Sequence, residues 1–149
     1  MIEPITAQEA INKNWQHFIV EGNAPGYVCG TCFYRSPDGC RCGIGVLIPD
    51  ELYSSAFEAS NITNMMGYTE HPDTKNPNKK WGSVQELFAP MRNDRMEVGG
   101  DEGSSQFLSS IQQAHDITAL AHGPDNFKHI YAEALRTLAA EFGLEIPAS

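Results

Sequence analysis

The sequence predicts a single α+β domain spanning residues 1–149, with four or five helices packed around one short β-hairpin. Three observations predict it. Tyr27 to Arg35 is rich in β-branched and aromatic residues and runs into Ser36-Pro37-Asp38-Gly39, which has type I turn chemistry. Residues 105–143 carry apolar side chains at helical spacing, in two runs split by Gly123-Pro124. A chain of 149 residues, 41% hydrophobic and 19% charged, is the size and composition of one domain with its own core.

The elements follow in order. Thr6-Ala-Gln-Glu9 reads as a capping box, in which a hydroxyl and a carboxylate satisfy orphan amides. Ile11, Trp15, Phe18 and Ile19 continue it as a helix over about 7–20, ended by Gly22, Pro25 and Gly26. The hairpin occupies about 27–48, with Cys40 to Ile48 as its returning strand. Pro49-Asp50-Glu51 opens a second helix that fades near Asn61, because proline suits a first turn and carboxylates complement the helix dipole. Residues 67–83 are loop-like, and a short helix near 83–91 carries Val84, Leu87 and Phe88. Residues 93–105, with Gly99-Gly100-Asp101-Glu102-Gly103, have linker composition. A helix holding Leu108, Ile111, His115 and Ile117 stops at Gly123-Pro124, and a last one runs from Asp125 to Gly143. Phe127, Ile130, Tyr131, Ala134, Leu135, Leu138, Ala139 and Phe142 form its apolar stripe. No internal repeat is visible.

Charge narrows the function. A net charge of -9 opposes the phosphate backbone, so direct nucleic-acid binding is not expected. Lys75, Lys79 and Lys80 beside Trp81 read as a solvated loop. The 19 acidic residues are spread too thinly for a DNA mimic. No apolar run approaches the roughly 18 residues of a membrane span. The N-terminus lacks the charged and apolar regions of a secretory signal, so the expected compartment is the cytoplasm, where thiols more often react or bind metal than form disulfides.

The 4 cysteines all fall between Cys29 and Cys42. One reading is a zinc clip of Cys29, Cys32, Cys40 and Cys42, since zinc takes four tetrahedral N or S ligands. The Cys-x-Cys half is tight, and regular pleating turns Cys32 away from the others. A bulge, or replacement of a thiolate by His17, His115 or Asp116, restores a full set. The second reading is a cysteine hydrolase, with Cys42 as nucleophile and His115 as base. Cys42-Gly-Ile-Gly45 would offer amides to an oxyanion. Asp116 follows His115 but is rotated about 100° from it on a helix, so it is not expected to orient the ring from the same face. The third reading is ordinary packing beneath the hairpin, with His115 bonded to a carbonyl. Arg35 then remains as an anion or partner contact at the hairpin edge, with Asp38 beside it in the turn.

Weaker signals carry less. Cys42-Gly-Ile-Gly45 lacks the third glycine of a dinucleotide fingerprint. Asn61-Ile-Thr63 is a sequon without a secretory route, and Met65-Met66 reads as adaptable core.

The hairpin Cys32-Phe-Tyr34-Arg35-Ser-Pro-Asp38-Gly39-Cys-Arg-Cys42-Gly-Ile-Gly45-Val-Leu47-Ile48-Pro49-Asp50-Glu-Leu-Tyr53 resembles a group of small phage and prophage proteins without a settled activity. These read Cys-x-Tyr-Arg, then Asp-Gly, then Cys-Ala-x-Gly-x-Leu-Ile-Pro-Asp, with a Tyr three residues on. Their C-terminal Leu-Gln-x-x-His-Asp is matched by Ile111-Gln112-Gln-Ala-His115-Asp116, apart from Ile for Leu. The pattern covers about half the chain and reaches Cys32 and Cys42 only; Gly43 and Val46 depart from it. The resemblance implies phage origin and a shared constellation of Cys42, His115 and Asp116.

The leading expectation is therefore a small acidic phage-type accessory protein that binds a host protein or a small ligand, without a cofactor unless zinc is held by the cysteines. Its site is expected in a cleft between the hairpin and the His115 helix, built from Arg35, Asp38, Cys42, His115 and Asp116.

Overall fold

The computed structural model describes residues 3–28, 31–32, 34–36, 39–53, 80–91 and 106–147, with backbone alone at 27–28, 31–32, 80–83 and 122–125. Helix α1 spans Ala7–Asn14. Thr6 Oγ1 accepts the Glu9 amide at 3.2 Å, which is half of the expected capping box. The other half differs, because the Thr6 hydroxyl donates to the Glu9 carboxylate at 3.3 Å. From Trp15 to Val20 the helix widens to π-helical bonding, and the Glu21 amide reaches Gln16 O at 3.0 Å. Ala10, Ile11, Asn14, Trp15 and Phe18 are buried along one stripe of this segment.

The C-terminal region is helical throughout Gln106–Glu141, which we call α3. It is not a straight rod. The Phe107 and Phe142 rings lie 5.1 Å apart, whereas 35 residues at the α-helical rise would separate them by about 52 Å. The His115 and Phe127 rings lie 5.4 Å apart, against about 18 Å for a straight helix. α3 is therefore folded back on itself between these two residues, in the stretch that contains Gly123 and Pro124. The first limb buries Phe107, Leu108, Ile111, His115, Thr118 and Ala119, at three- and four-residue steps. The second buries Phe127, Tyr131, Ala132, Leu135, Leu138 and Ala139. After it, Gly143 takes φ 70°, which costs glycine nothing, and the Leu144 amide returns to Ala139 O at 2.7 Å. The tail is then held to α1, as Gln8 Nε2 donates to Glu145 O at 2.7 Å and Gln8 Oε1 accepts the Glu145 amide at 2.9 Å.

The expected α+β class is overturned. Helix makes up 67% of the described residues. Among the described residues, strand pairing is confined to β1, Tyr27–Val28, against β2, Thr31–Cys32, plus isolated bridges at Pro25–Arg41 and Arg35–Arg41. The predicted returning strand does not form. Cys42, Gly43, Ile44, Gly45, Leu47 and Ile48 are all buried, with only Val46 between them partly exposed. A strand with one wet face would alternate. This run instead curls into a 3-10 turn at Gly45–Leu47 and enters the helical core. The chain does close on itself here, as Ser36 O accepts the Gly39 amide at 2.9 Å and the Ser36 amide donates to Cys40 O at 2.8 Å, while Pro37 and Asp38, on which the turn type rests, lie outside the described residues.

A second 3-10 turn, Asp50–Leu52, stands where a helix to Asn61 was expected, and Tyr53 is extended; the rest of that helix lies outside the described residues. So do Met65-Met66, the sequon, the lysine cluster's Lys75 and Lys79, and the linker at 93–105. Helix α2, Lys80–Leu87, and a 3-10 turn at Ala89–Met91 bury Val84, Leu87, Phe88 and Met91. The Ile5 amide donates to Leu87 O at 2.9 Å, joining α2 to the N-terminus.

Candidate functional site

The Cys42 turn does fold against α3, and the contact is intimate. A Cβ on Gly43 would lie 2.8 Å from both Ile111 Cγ2 and the Tyr131 hydroxyl, and 3.1 Å from Asn14 Oδ1. A Cβ on Gly45 would collide with the Tyr34 carbonyl. Gly43 thus permits close approach to the helices, and Gly45 close approach to the backbone at Tyr34. Asn14 makes the contact specific: its amide donates to Ala10 O and Gly43 O at 3.0 Å each, and its Oδ1 accepts from the Tyr131 hydroxyl at 2.7 Å. One polar side chain thus joins α1, the turn and the second limb of α3, with no exposed surface on Asn14 or Tyr131. Burial pushes the Tyr131 phenol well above its ordinary range, and the nearby Cys42 and Asp116 add to the rise.

The space expected to be a cleft between this turn and His115 is therefore filled core. His115 is fully buried, with its ring 5.4–5.9 Å from those of Phe127, Phe18 and Tyr131. Contrary to expectation, Asp116 does reach it, with Oδ1 2.9 Å from His115 Nδ1. Nδ1 stands only two bonds from Cβ, so a part-exposed carboxylate at the next position meets it from the flank. Nδ1 then donates, and in the neutral ring Nε2 is a bare acceptor. That Nε2 is buried and takes no hydrogen bond among the described residues. His115 is thus not bonded to Cys42, whose Sγ accepts the Gly45 amide at 3.2 Å and which is 2% exposed. Cys42, His115 and Asp116 come to one neighbourhood around Tyr131, without the thiol–imidazole bond that nucleophilic activation uses.

Cys40 is half-buried, Cys29 lies outside the described residues, and Cys32 is described only in its backbone. Among the described residues no group of three or more His, Cys, Asp or Glu is gathered to hold a metal. Asp38 also lies outside them.

Arg35 is placed on a ledge built by the residues that follow the turn. Its Nη1 is 2.8 Å from Asp50 Oδ1, its Nη2 donates to Ile48 O at 2.7 Å, and its guanidinium stands over the Tyr53 ring at 4.5 Å. The Arg35–Arg41 bridge brings a second guanidinium to the same place, and Arg41 Nη2 is 3.2 Å from the same Asp50 Oδ1. Two cations thus meet on one oxygen. The side chain of Arg35 is 18% exposed, that of Arg41 33%, and that of Asp50 77%.

Near this ledge an open groove of about 640 Å³ runs over the π-helical turn, lined by Lys13, Trp15, Gln16, His17, Val20 and Val46 among others. Arg41 is close enough for its charge to act on His17. Burial lowers the His17 pKa, Arg41 and His115 lower it further, and Glu21 opposes them.

Sequence reasoning missed Arg41, Asp50 and Asn14 as partners. Asn14 left a signal, as a polar residue on the Ile11–Trp15–Phe18 stripe. No helix among the described residues is long and apolar enough to cross a membrane. Comparison with protein-family models, curated proteins and solved structures gives no match.

Proposed function

We propose that this chain is a small acidic accessory protein of phage type that binds a host protein, and that the Arg35–Arg41 ledge is its contact. The observation that carries this is the convergence of two guanidiniums on one exposed carboxylate oxygen, in a chain whose net charge is -9. Guanidinium is the group suited to carboxylate recognition, and Arg35 is held for it by a carbonyl and an aromatic face. The groove over the π-helical turn adds apolar surface from Val20 and Val46. The test is capture from host lysate on immobilised protein, comparing the native chain with Arg41→Glu and checking both folds by circular dichroism. A partner retained by the native chain and lost by the variant supports the proposal. Capture that ignores the Arg41 charge overturns it.

A cysteine hydrolase is the second reading, favoured by the Asp116–His115 bond and the bare Nε2 that it leaves. Against it stand the burial of Cys42 and the Gly45 amide already on its sulfur.

A further inference from the structure

The two sides of the Arg35–Asp50–Arg41 contact differ in exposure. Among the described residues, the Arg35 guanidinium is held by Ile48 O, the Tyr53 ring and Asp50 itself. Arg41 is fixed in its backbone, since its carbonyl accepts the Gly26 amide at 2.9 Å and it bridges both Pro25 and Arg35. Asp50 is the exposed member. Its side chain is 77% exposed, it opens a three-residue 3-10 turn, and both ion pairs use the same Oδ1. An exposed carboxylate seated on a preorganised pair of cations is the arrangement of a ligand bound to its receptor, except that here the ligand is tethered.

Resting on the contact surface proposed above, we infer that Asp50 is a built-in competitor that occupies the place of a partner's Asp or Glu carboxylate, so that binding requires its displacement. The partner segment is then acidic, because the site already takes a carboxylate oxygen. The exchange is nearly balanced: one exposed carboxylate leaves for water as another arrives, and the guanidiniums stay paired throughout. Exposed ion pairs are individually weak, so the tethered carboxylate is displaceable by a partner with a few further contacts. In place of Asp50, a neutral residue removes the tethered carboxylate from both guanidiniums, Arg41 above all.

The experiment is a titration of the full chain with a hexaglutamate peptide and, separately, inorganic phosphate, at low ionic strength and followed by NMR of the arginine side chains. The native chain, Asp50→Asn and Asp50→Asn/Arg41→Gln are compared, with thermal melts to confirm that each is folded. Releasing two exposed ion pairs is expected to tighten peptide binding by about 3- to 10-fold in Asp50→Asn, and Arg41→Gln is expected to abolish that gain. Equal peptide affinity for the native chain and Asp50→Asn overturns the competitor role while leaving the ledge as a binding site. Saturation by phosphate but not by peptide overturns the carboxylate assignment. Failure of both chains to bind either probe overturns the competitor and the contact surface together.

Discussion

Tyr131→Phe isolates the bond that locks the Cys42 turn onto the helices. The substitution removes one hydroxyl, 2.7 Å from Asn14 Oδ1, and changes almost no apolar area. The Asn14 amide nitrogen is already committed to Ala10 O and Gly43 O, so the residue cannot turn to find another donor without breaking those bonds. Asn14 Oδ1 is therefore left unsatisfied at a fully buried position. Losing the bond and stranding the acceptor should cost about 2 kcal/mol, or a fall in Tm of about 4–8 °C for a chain of this length. Urea unfolding measures it, read as a lower midpoint at constant slope. A second variant makes the geometry answerable: Gly43→Ala should cost about 1–3 kcal/mol by overpacking, and less when Tyr131 is already Phe, since one of its three close contacts is gone. A Tyr131→Phe loss below about 0.5 kcal/mol, or strict additivity of the pair, would refute the reasoning.

Other expectations follow from the same neighbourhood. His17 has a folded pKa below its ordinary 6.5, chiefly through burial, so the unfolded chain takes up the proton first as pH falls. Stability from this group is complete above about pH 6.5 and is lost on acidification below it. Urea midpoints at pH 7.5 and 5.5 should converge in His17→Gln relative to the native chain; an unchanged gap contradicts the assignment. Cys42 should react with iodoacetamide far more slowly than half-buried Cys40, at a rate set by opening of the fold. Fast labelling of Cys42 at neutral pH would instead favour the hydrolase.

The helices were legible because their signals are local. Thr6 three residues before Glu9 marks a start, and the apolar steps from Phe127 to Phe142 mark a buried face. The reversal in α3 falls at the stretch holding Gly123-Pro124, although helical conformation runs through it. The returning strand from Cys40 to Ile48 is not legible, because composition does not tell a half-buried strand from a turn buried on nearly all sides. Cys42 to Ile48 reads as a strand by composition but is buried on nearly every side, and its two glycines are required by Tyr34 and Ile111 rather than by a turn. The ledge was only half legible. Arg35 stood out at the turn, but Arg41 and Asp50 join it through a register and a backward fold at Ile48 that no spacing rule encodes.

His115 is where the structural and catalytic accounts diverge most sharply, and one substitution separates them. Asp116 holds Nδ1, and Nε2 is left as a buried acceptor with no donor among the described residues. An orphan of this kind costs about 1–3 kcal/mol. The ring is otherwise surrounded by Phe18, Phe127 and Tyr131, surroundings that suit a phenyl group. If His115 serves only as a core ring, His115→Phe removes the orphan nitrogen and should leave the fold as stable as before or up to about 1 kcal/mol more so, since part-exposed Asp116 can turn to water. If Nε2 receives a proton-bearing group in the working protein, such as the Cys42 thiol or an internal water, the same change strands that donor and should destabilise by about 1–3 kcal/mol. Chemical denaturation of His115→Phe therefore reports on the imidazole without knowledge of any substrate. A measurable loss would return His115 to the chemically active groups, whereas a neutral or favourable result would remove the imidazole from the hydrolase reading.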